Sequence, residues 1–343
     1  MRRLLKTFGL LTTFLVLIIA LPILFTELAC RGTPLVQTDA TYITDPEDQR
    51  PEARTYLTYP EWHIVYAYEG YAEVLKTGAP HGFPYAQSII GFWSSLCALT
   101  QKSDTLGKAG FDAKSTIYTI GASFTLEMSA KAIYEETIGR ITSWTGASPQ
   151  DQIEADMAAD YAEFLQQVPW YKYDFDGWRA KLWNAPTPNF RAHERRIALG
   201  LEWSSKAAYA RLIAKAVAGV GADELTMKIA VDNVDPATLP NVKLIETKGD
   251  AIILEVPRYR VFTRLAEAIS DQSGAILEIA GNDDILVSVV SERPADINGT
   301  IYTATRPGFG DHRTLIAVKV NQLSKVLTAL RKSGIEPEHV YDY

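Results

Sequence analysis

Ala251-Ile252-Ile253-Leu254-Glu255-Val256, with Met227 to Val231 and Val242 to Thr247 on its N-terminal side, decides the fold class. Here the hydrophobic period is two and β-branched residues crowd together, so side chains alternate between the two faces of extended strands. Similar runs follow at Ala275 to Ile279, Ile285 to Val290, Ile301 to Thr305 and Thr314 to Val320. Two stretches with helical spacing interrupt them, Tyr259 to Gln272 and Gln322 to Lys332, the second bounded by Asn321 as cap and by Gly334. Gly281-Asn282-Asp283-Asp284 reads as the turn of a hairpin. Residues 222–343 are therefore expected to form an α+β sandwich, an antiparallel or mixed sheet with two helices on one face, like a split βαβ (ferredoxin-like) unit. No internal repeat or low-complexity tract is visible.

Upstream, from 57 to 220, the spacing turns helical. Thr58-x-x-Glu61, with Pro60 between, reads as a capping box opening a helix that stops at Gly78 and Pro80. An apolar stretch from Tyr85 to Leu99 follows, and then a long helix from Asp112 to Ile141 with Ile117, Ile120, Phe124 and Met128 on one face. Ser148-Pro149 caps a helix ending before Pro169, a short helix spans Asp176 to Trp183, and Thr187-Pro188 opens another that Gly219 and Gly221 terminate. Residues 31–56, with Asp45-Pro46-Glu47-Asp48-Gln49-Arg50-Pro51, lack a sustained period and read as a linker or extended arm.

The first 30 residues read as a membrane anchor. From Phe8 to Phe25 no charge occurs, and eighteen helical residues span about 27 Å, close to the hydrocarbon thickness of a bilayer. Arg2, Arg3 and Lys6 precede the run, which places the N-terminus inside and the body in the periplasm or exterior. A retained anchor is favoured over a cleaved signal because the run is long and Thr26-Glu27-Leu28-Ala29 offers no cleavage site. A lipoprotein reading of Leu28-Ala29-Cys30 suffers from Glu27. Residues 85–99 and 115–126 are further stretches that could dip into a bilayer.

The 343 residues carry a net charge of −7, which argues against nucleic acid as a partner. Cys30 and Cys97 are the two cysteines; they could pair in an oxidising compartment, but the favoured reading leaves Cys97 buried and inert in its apolar segment.

No Walker loop, dinucleotide fingerprint, H-E-x-x-H or G-x-S-x-G occurs. Gly308-Phe309-Gly310 reads as a hairpin turn, and Glu336-x-x-His339 falls in a terminal strand, where its residues share no helical face. What remains is a set of polar residues in apolar helices. Glu127, Lys131 and Glu135 follow one another at i, i+4 and i+8; His63 and Glu69 lie on the first helix of the module; His193 and Glu194 lie on its last, with Glu202 further on. Together these could form an interior site: Glu69, Glu127, Lys131 and Glu135 for acid–base work, and His63, His193 and Glu194 for a metal. The favoured alternative pairs them with Arg140, Arg191, Arg195 and Arg196 as structural ion pairs. Aromatic residues crowd two places, the first two helices with Trp62, Tyr66, Tyr68, Tyr71, Phe92 and Trp93, and the short segment from Trp170 to Trp183. Core packing is the favoured account, against stacking walls of a pocket or a strip at the membrane interface. The functional expectation is a single-pass, membrane-anchored binding or assembly module of the cell envelope, taking a protein or small-molecule partner. The alternative is a membrane-tethered enzyme with a polar, metal-binding site inside the helical module.

Overall fold

The computed structural model describes residues 2–34, 40–107, 111–217 and 225–342, with side chains in the first helix from Val16 onward. Helix α1 (Arg2–Ala29) is followed by a bundle of α2 (Arg54–Thr77), α3 (Tyr85–Thr105), α4 (Phe111–Tyr134), α5 (Arg140–Ser143), α6 (Pro149–Leu165), α7 (Phe175–Asn184) and α8 (Phe190–Val217). The long predicted helix is interrupted by a π turn, Glu135–Gly139, between α4 and α5. A Cβ on Gly139 would lie 2.2 Å from Glu135 Oε2, so the glycine leaves the space into which that carboxylate folds back. The expected boundary at Gly219 and Gly221 lies outside the described residues.

The α+β part runs β1 (Thr226–Asp232), β2 (Lys243–Lys248), β3 (Ala251–Pro257), α9 (Arg260–Asp271), β4 (Ala275–Ile279), β5 (Asp284–Ser291), β6 (Thr300–Thr305), β7 (His312–Lys319), α10 (Leu323–Lys332) and β8 (Glu336–Tyr341). It holds two four-stranded sheets, ordered β2-β3-β1-β4 and β6-β7-β5-β8. This is one β-β-β-α-β unit laid down twice, a repeat the sequence did not reveal. Every pairing is antiparallel, and the register breaks recur too: at Ala230/Val231 and Ser288/Val289 between first and fourth strands, and at Leu244/Glu246 and Thr300/Tyr302 between second and third. In each half the third and fourth strands flank the first and are joined by the helix, so the expected split βαβ arrangement occurs in each of two sheets. Gly281 does lie in a turn, but that turn passes the chain from β4 in one sheet to β5 in the other, so it closes no hairpin. Both sheets and both helices share one core, with Ile229, Leu254, Phe262, Val287, Ile316 and Leu327 all inside it. Gly308-Phe309-Gly310 does form the hairpin turn between β6 and β7, its glycines at φ +86° and +83°.

Helix α2 begins at Arg54, a turn earlier than predicted, and Thr58 caps nothing: its hydroxyl donates back to the Arg54 carbonyl at 3.0 Å. Tertiary contacts hold the extra turn. The Glu52 carboxylate accepts from the backbone N–H groups of Asp283 and Asp284 at 3.1 and 2.9 Å, and Thr55 Oγ1 donates to the Tyr341 carbonyl at 2.7 Å. Along α2, Tyr56, Tyr59, Trp62 and Tyr66 pack on Leu286, Leu315 and Tyr341 of the second sheet. Gly70 abuts the β6–β7 turn, where a Cβ would stand 2.0 Å from the Pro307 carbonyl oxygen. The arm before α2 is tied down as well: Glu278 accepts from the N–H groups of Thr41, Tyr42 and Ile43 at 2.7–3.1 Å, and Arg50 N–H donates to the Ala280 carbonyl at 2.9 Å.

The C-terminal end of α1 is fixed to the bundle. Tyr118 donates to Glu27 at 2.5 Å, and Cys30 is joined to Cys97 of α3 in a disulfide, which corrects the expectation of an inert Cys97. Val16, Leu17, Leu21, Leu24, Phe25 and Leu28 remain exposed along α1. Among the described residues no helix is long and apolar enough to cross a membrane. The side chains of residues 8–15, the first part of the expected span, lie outside that description. Residues 85–99 fall in α3, which buries Phe92, Trp93 and Leu96 in the bundle.

Candidate functional site

Helical spacing stacks charges on the facing sides of α4, α6 and α8. Glu127 and Lys131 on α4 lead into Glu135 at the π turn; Asp151 and Glu154 come from α6; Arg191, Glu194, Arg195, Glu202 and Lys206 come from α8. Arg195 is fully buried, 2.7 Å from Glu135 Oε1 and bonded also to Glu154. Arg191 binds Asp151 at 2.8 Å and Glu194 at 3.3 Å. Lys131 bridges Glu202 at 3.1 Å and Glu154 at 3.6 Å, and Lys206 lies 2.7 Å from Glu127 and 3.2 Å from Glu202. The Tyr71 hydroxyl donates to Glu154 at 2.6 Å, while the Tyr68 hydroxyl donates to Glu127 and accepts from Lys206 at 2.7 Å.

These charges hold one another ionised. Burial would raise the Glu202 carboxyl, but Lys131 and Lys206 outweigh it and bring it to about 2. Burial likewise lowers the two lysines, yet the carboxylates facing them shift both above their ordinary range. Glu135 moves the other way, raised by burial against the pull of Arg195. A lattice so matched serves to hold three helices in register, because removing any one member leaves its partner charged and buried.

Where the lattice reaches Tyr68 it meets a cavity of about 550 Å³ bounded by α2, α4, α8 and the segment after α6. Trp62, Trp170, Tyr171, Tyr209 and Tyr259 line its walls, with Trp170 and Tyr209 rings 5.2 Å apart. One end holds Tyr68, Glu127 and Lys206. Glu61, seven residues before Tyr68 on α2, also lines it and stands roughly 10 Å away along the helix. Glu61 is exposed to solvent, and among the described residues no hydrogen bond or ion pair holds it; the protein around its carboxyl raises it by more than the field of Arg258, itself bonded to Asp342 at 2.7 Å, lowers it. Tyr259 sits at φ +64° and ψ −147°, a backbone region that glycine alone occupies without strain. Its N–H donates to Asp342 at 3.2 Å and its carbonyl accepts from Phe262 at 3.0 Å, which keeps it there.

The sequence-predicted residues separate. Glu127, Lys131, Glu135 and Glu194 belong to the lattice. Glu69 instead accepts from Gln166. His63 is buried, its Nε2 donating to the Ser88 carbonyl at 2.9 Å among Phe92 and Phe124, and burial lowers its pKa to about 4. His193 is exposed on α8, so His63, His193 and Glu194 are not gathered around a common point. The arginine pairing holds for Arg191 and Arg195; Arg140 pairs with Glu136 on the surface, and Arg196 donates to the Ala185 carbonyl. Sequence reasoning missed Glu154 and Lys206. The available signals were Glu154 in register with Met157, Ala158 and Tyr161, and Lys206 four residues after Glu202. Among the described residues, Glu52, Asp283 and Asp284 are the one trio whose oxygens come within 4.8 Å of one another, and Lys319 already sits 2.6 Å from Asp284 and 3.1 Å from Asp283. Compared with models of protein families, with curated proteins and with solved structures, the chain matches none.

Proposed function

We propose that this protein is a membrane-anchored, extracytoplasmic binding protein whose cavity between α2, α4 and α8 takes a small amphipathic ligand. The observation that carries the reading is the cavity itself: about 550 Å³ of space with aromatic walls and a few convergent polar groups, the usual makeup of a ligand site. The anchor, residues 8–25 with the N-terminus in the cytoplasm, is supported by the exposed apolar side chains of α1. The Cys30–Cys97 disulfide supports a body outside the cytoplasm, since such bonds persist in oxidising compartments. The charge lattice is assigned to structure, because its acids and bases are matched to one another. The alternative, a membrane-tethered enzyme, draws on the contact of Glu127 with the cavity, and its test is loss of an activity on Glu127→Gln with the fold retained.

The binding reading is tested by filling the space. Ile120→Trp, on the cavity wall, should abolish the thermal shifts that amphipathic compounds give the full-length protein while leaving its own melting temperature within a few degrees. Shifts of equal size in both proteins would place binding elsewhere and overturn the proposal.

A further inference from the structure

We propose that the cavity ligand is an organic cation with an apolar body, its ammonium group seated at Glu61 against Trp62 and Tyr259. The inference rests on the binding reading and adds the charge and orientation of the ligand.

The two ends of the cavity differ in charge balance. At one end Lys206 is neutralised by two carboxylates, Glu127 at 2.7 Å and Glu202 at 3.2 Å, and its ammonium lies 4.7 and 5.5 Å from the ring centroids of Tyr68 and Tyr161. An anionic head group therefore finds there a lysine already fully engaged. At the other end Glu61 has no ion pair among the described residues, and the nearby Arg258, whose guanidinium lies 5.3 Å from the Tyr259 ring centroid, is bonded to Asp342 at 2.7 Å. Any apolar ligand that covers Glu61 strips water from an unpaired carboxylate, which is costly; a cation replaces that water with an opposite charge. Ammonium groups also bind aromatic faces, and Trp62 and Tyr259 line the same cavity as Glu61. The Trp170–Tyr209 pair, which lines the same cavity, supplies apolar surface for the body of the ligand. Lys206 of α8, bonded to Tyr68, which lies roughly 10 Å from Glu61 along α2, is too well neutralised to repel the head group.

Tyr259 supports the assignment independently. Its backbone conformation suits glycine, yet a tyrosine occupies it and lines the cavity. Strain of this kind concentrates at ligand-binding positions.

The test is titration calorimetry of the full-length protein in a non-ionic detergent with (4-phenylbutyl)trimethylammonium, 4-phenylbutanol and 4-phenylbutanoate. The cation should bind about tenfold tighter than the alcohol, and Glu61→Gln should bring the two within about twofold. Tyr259→Gly relieves the strain, so it should weaken the cation about fivefold or more without lowering the melting temperature. If the alcohol or the carboxylate binds as well as the cation, or Glu61→Gln keeps the preference, the cationic assignment fails while the binding reading stands. If none of the three binds, or Ile120→Trp binds them unchanged, the binding reading falls with it.

Discussion

Replacing Cys97 with serine opens a covalent loop spanning 67 residues of sequence, from the end of α1 to the middle of α3. The entropy released to the unfolded chain by a loop of that size amounts to about 4 kcal/mol at 25 °C. A folded body of about 300 residues unfolds with an entropy of about 0.6 kcal/mol per kelvin, so the melting temperature should drop by about 7 °C. The assay is thermal unfolding of the full-length protein in detergent, wild type against Cys97→Ser, with thiols counted by a maleimide probe in denaturant before reduction. Wild type should show no free thiol until reductant is added, and reduced wild type should melt with the variant. Two free thiols in protein isolated without reductant, or a variant melting within a degree of wild type, would refute the cross-link and remove the support it lends to an extracytoplasmic body. The loop closure matters to the site as well: it fixes α1 to α3, and Glu27 of α1 holds Tyr118 of α4, one helix face from the cavity.

Arg195→Met leaves Glu135 and Glu154 buried without their guanidinium and should cost about 3–5 kcal/mol by chemical denaturation; a loss under about 1 kcal/mol would mean the lattice does not hold the bundle. Acid should destabilise the protein through two buried histidines. Burial lowers His63 to about 4 and His339 to about 3, so both stay neutral in the fold while the unfolded chain protonates near 6.5. Their contribution is complete above about pH 6.5 and is lost as pH falls toward 4 and then 3, each tenfold gap in proton affinity between unfolded and folded chain being worth about 1.4 kcal/mol. Glu52 opposes this in part, since burial raises it to about 7 and the stability it gives is lost as pH rises from 4.5 through 7. His339→Asn should flatten the fall of the denaturation midpoint below pH 6.5; an unchanged pH profile would count against a neutral, buried ring.

Local pattern carried much of the architecture. The period of two in β1 to β7, the helical period in α9 and α10, and the Ser148 cap, whose hydroxyl and Asp151 form a capping box, depend on residues a few positions apart, and those were legible. The start of α2 was not, because Thr58 offers a sound local cap and loses to contacts of Glu52 and Thr55 with strands more than 200 residues away. The repeat was hidden for a related reason. Two β-β-β-α-β halves share topology and register breaks, which depend on backbone pairing and leave the identity of individual side chains free.

The candidate site divides along the same line. By itself the sequence determined an α+β chain, an apolar N-terminal run, and the spacing that sets Glu127, Lys131 and Glu135 on one helical face, since each follows from the fixed geometry of a single element. Tertiary structure alone decided that Cys30 meets Cys97, that Arg195 sits between Glu135 and Glu154, and that Glu61 is left unpaired beside Trp62, Trp170 and Tyr259. A charge's partner and a cavity's walls come from segments distant in sequence, and only the packing of several helices at once determines which of them meet.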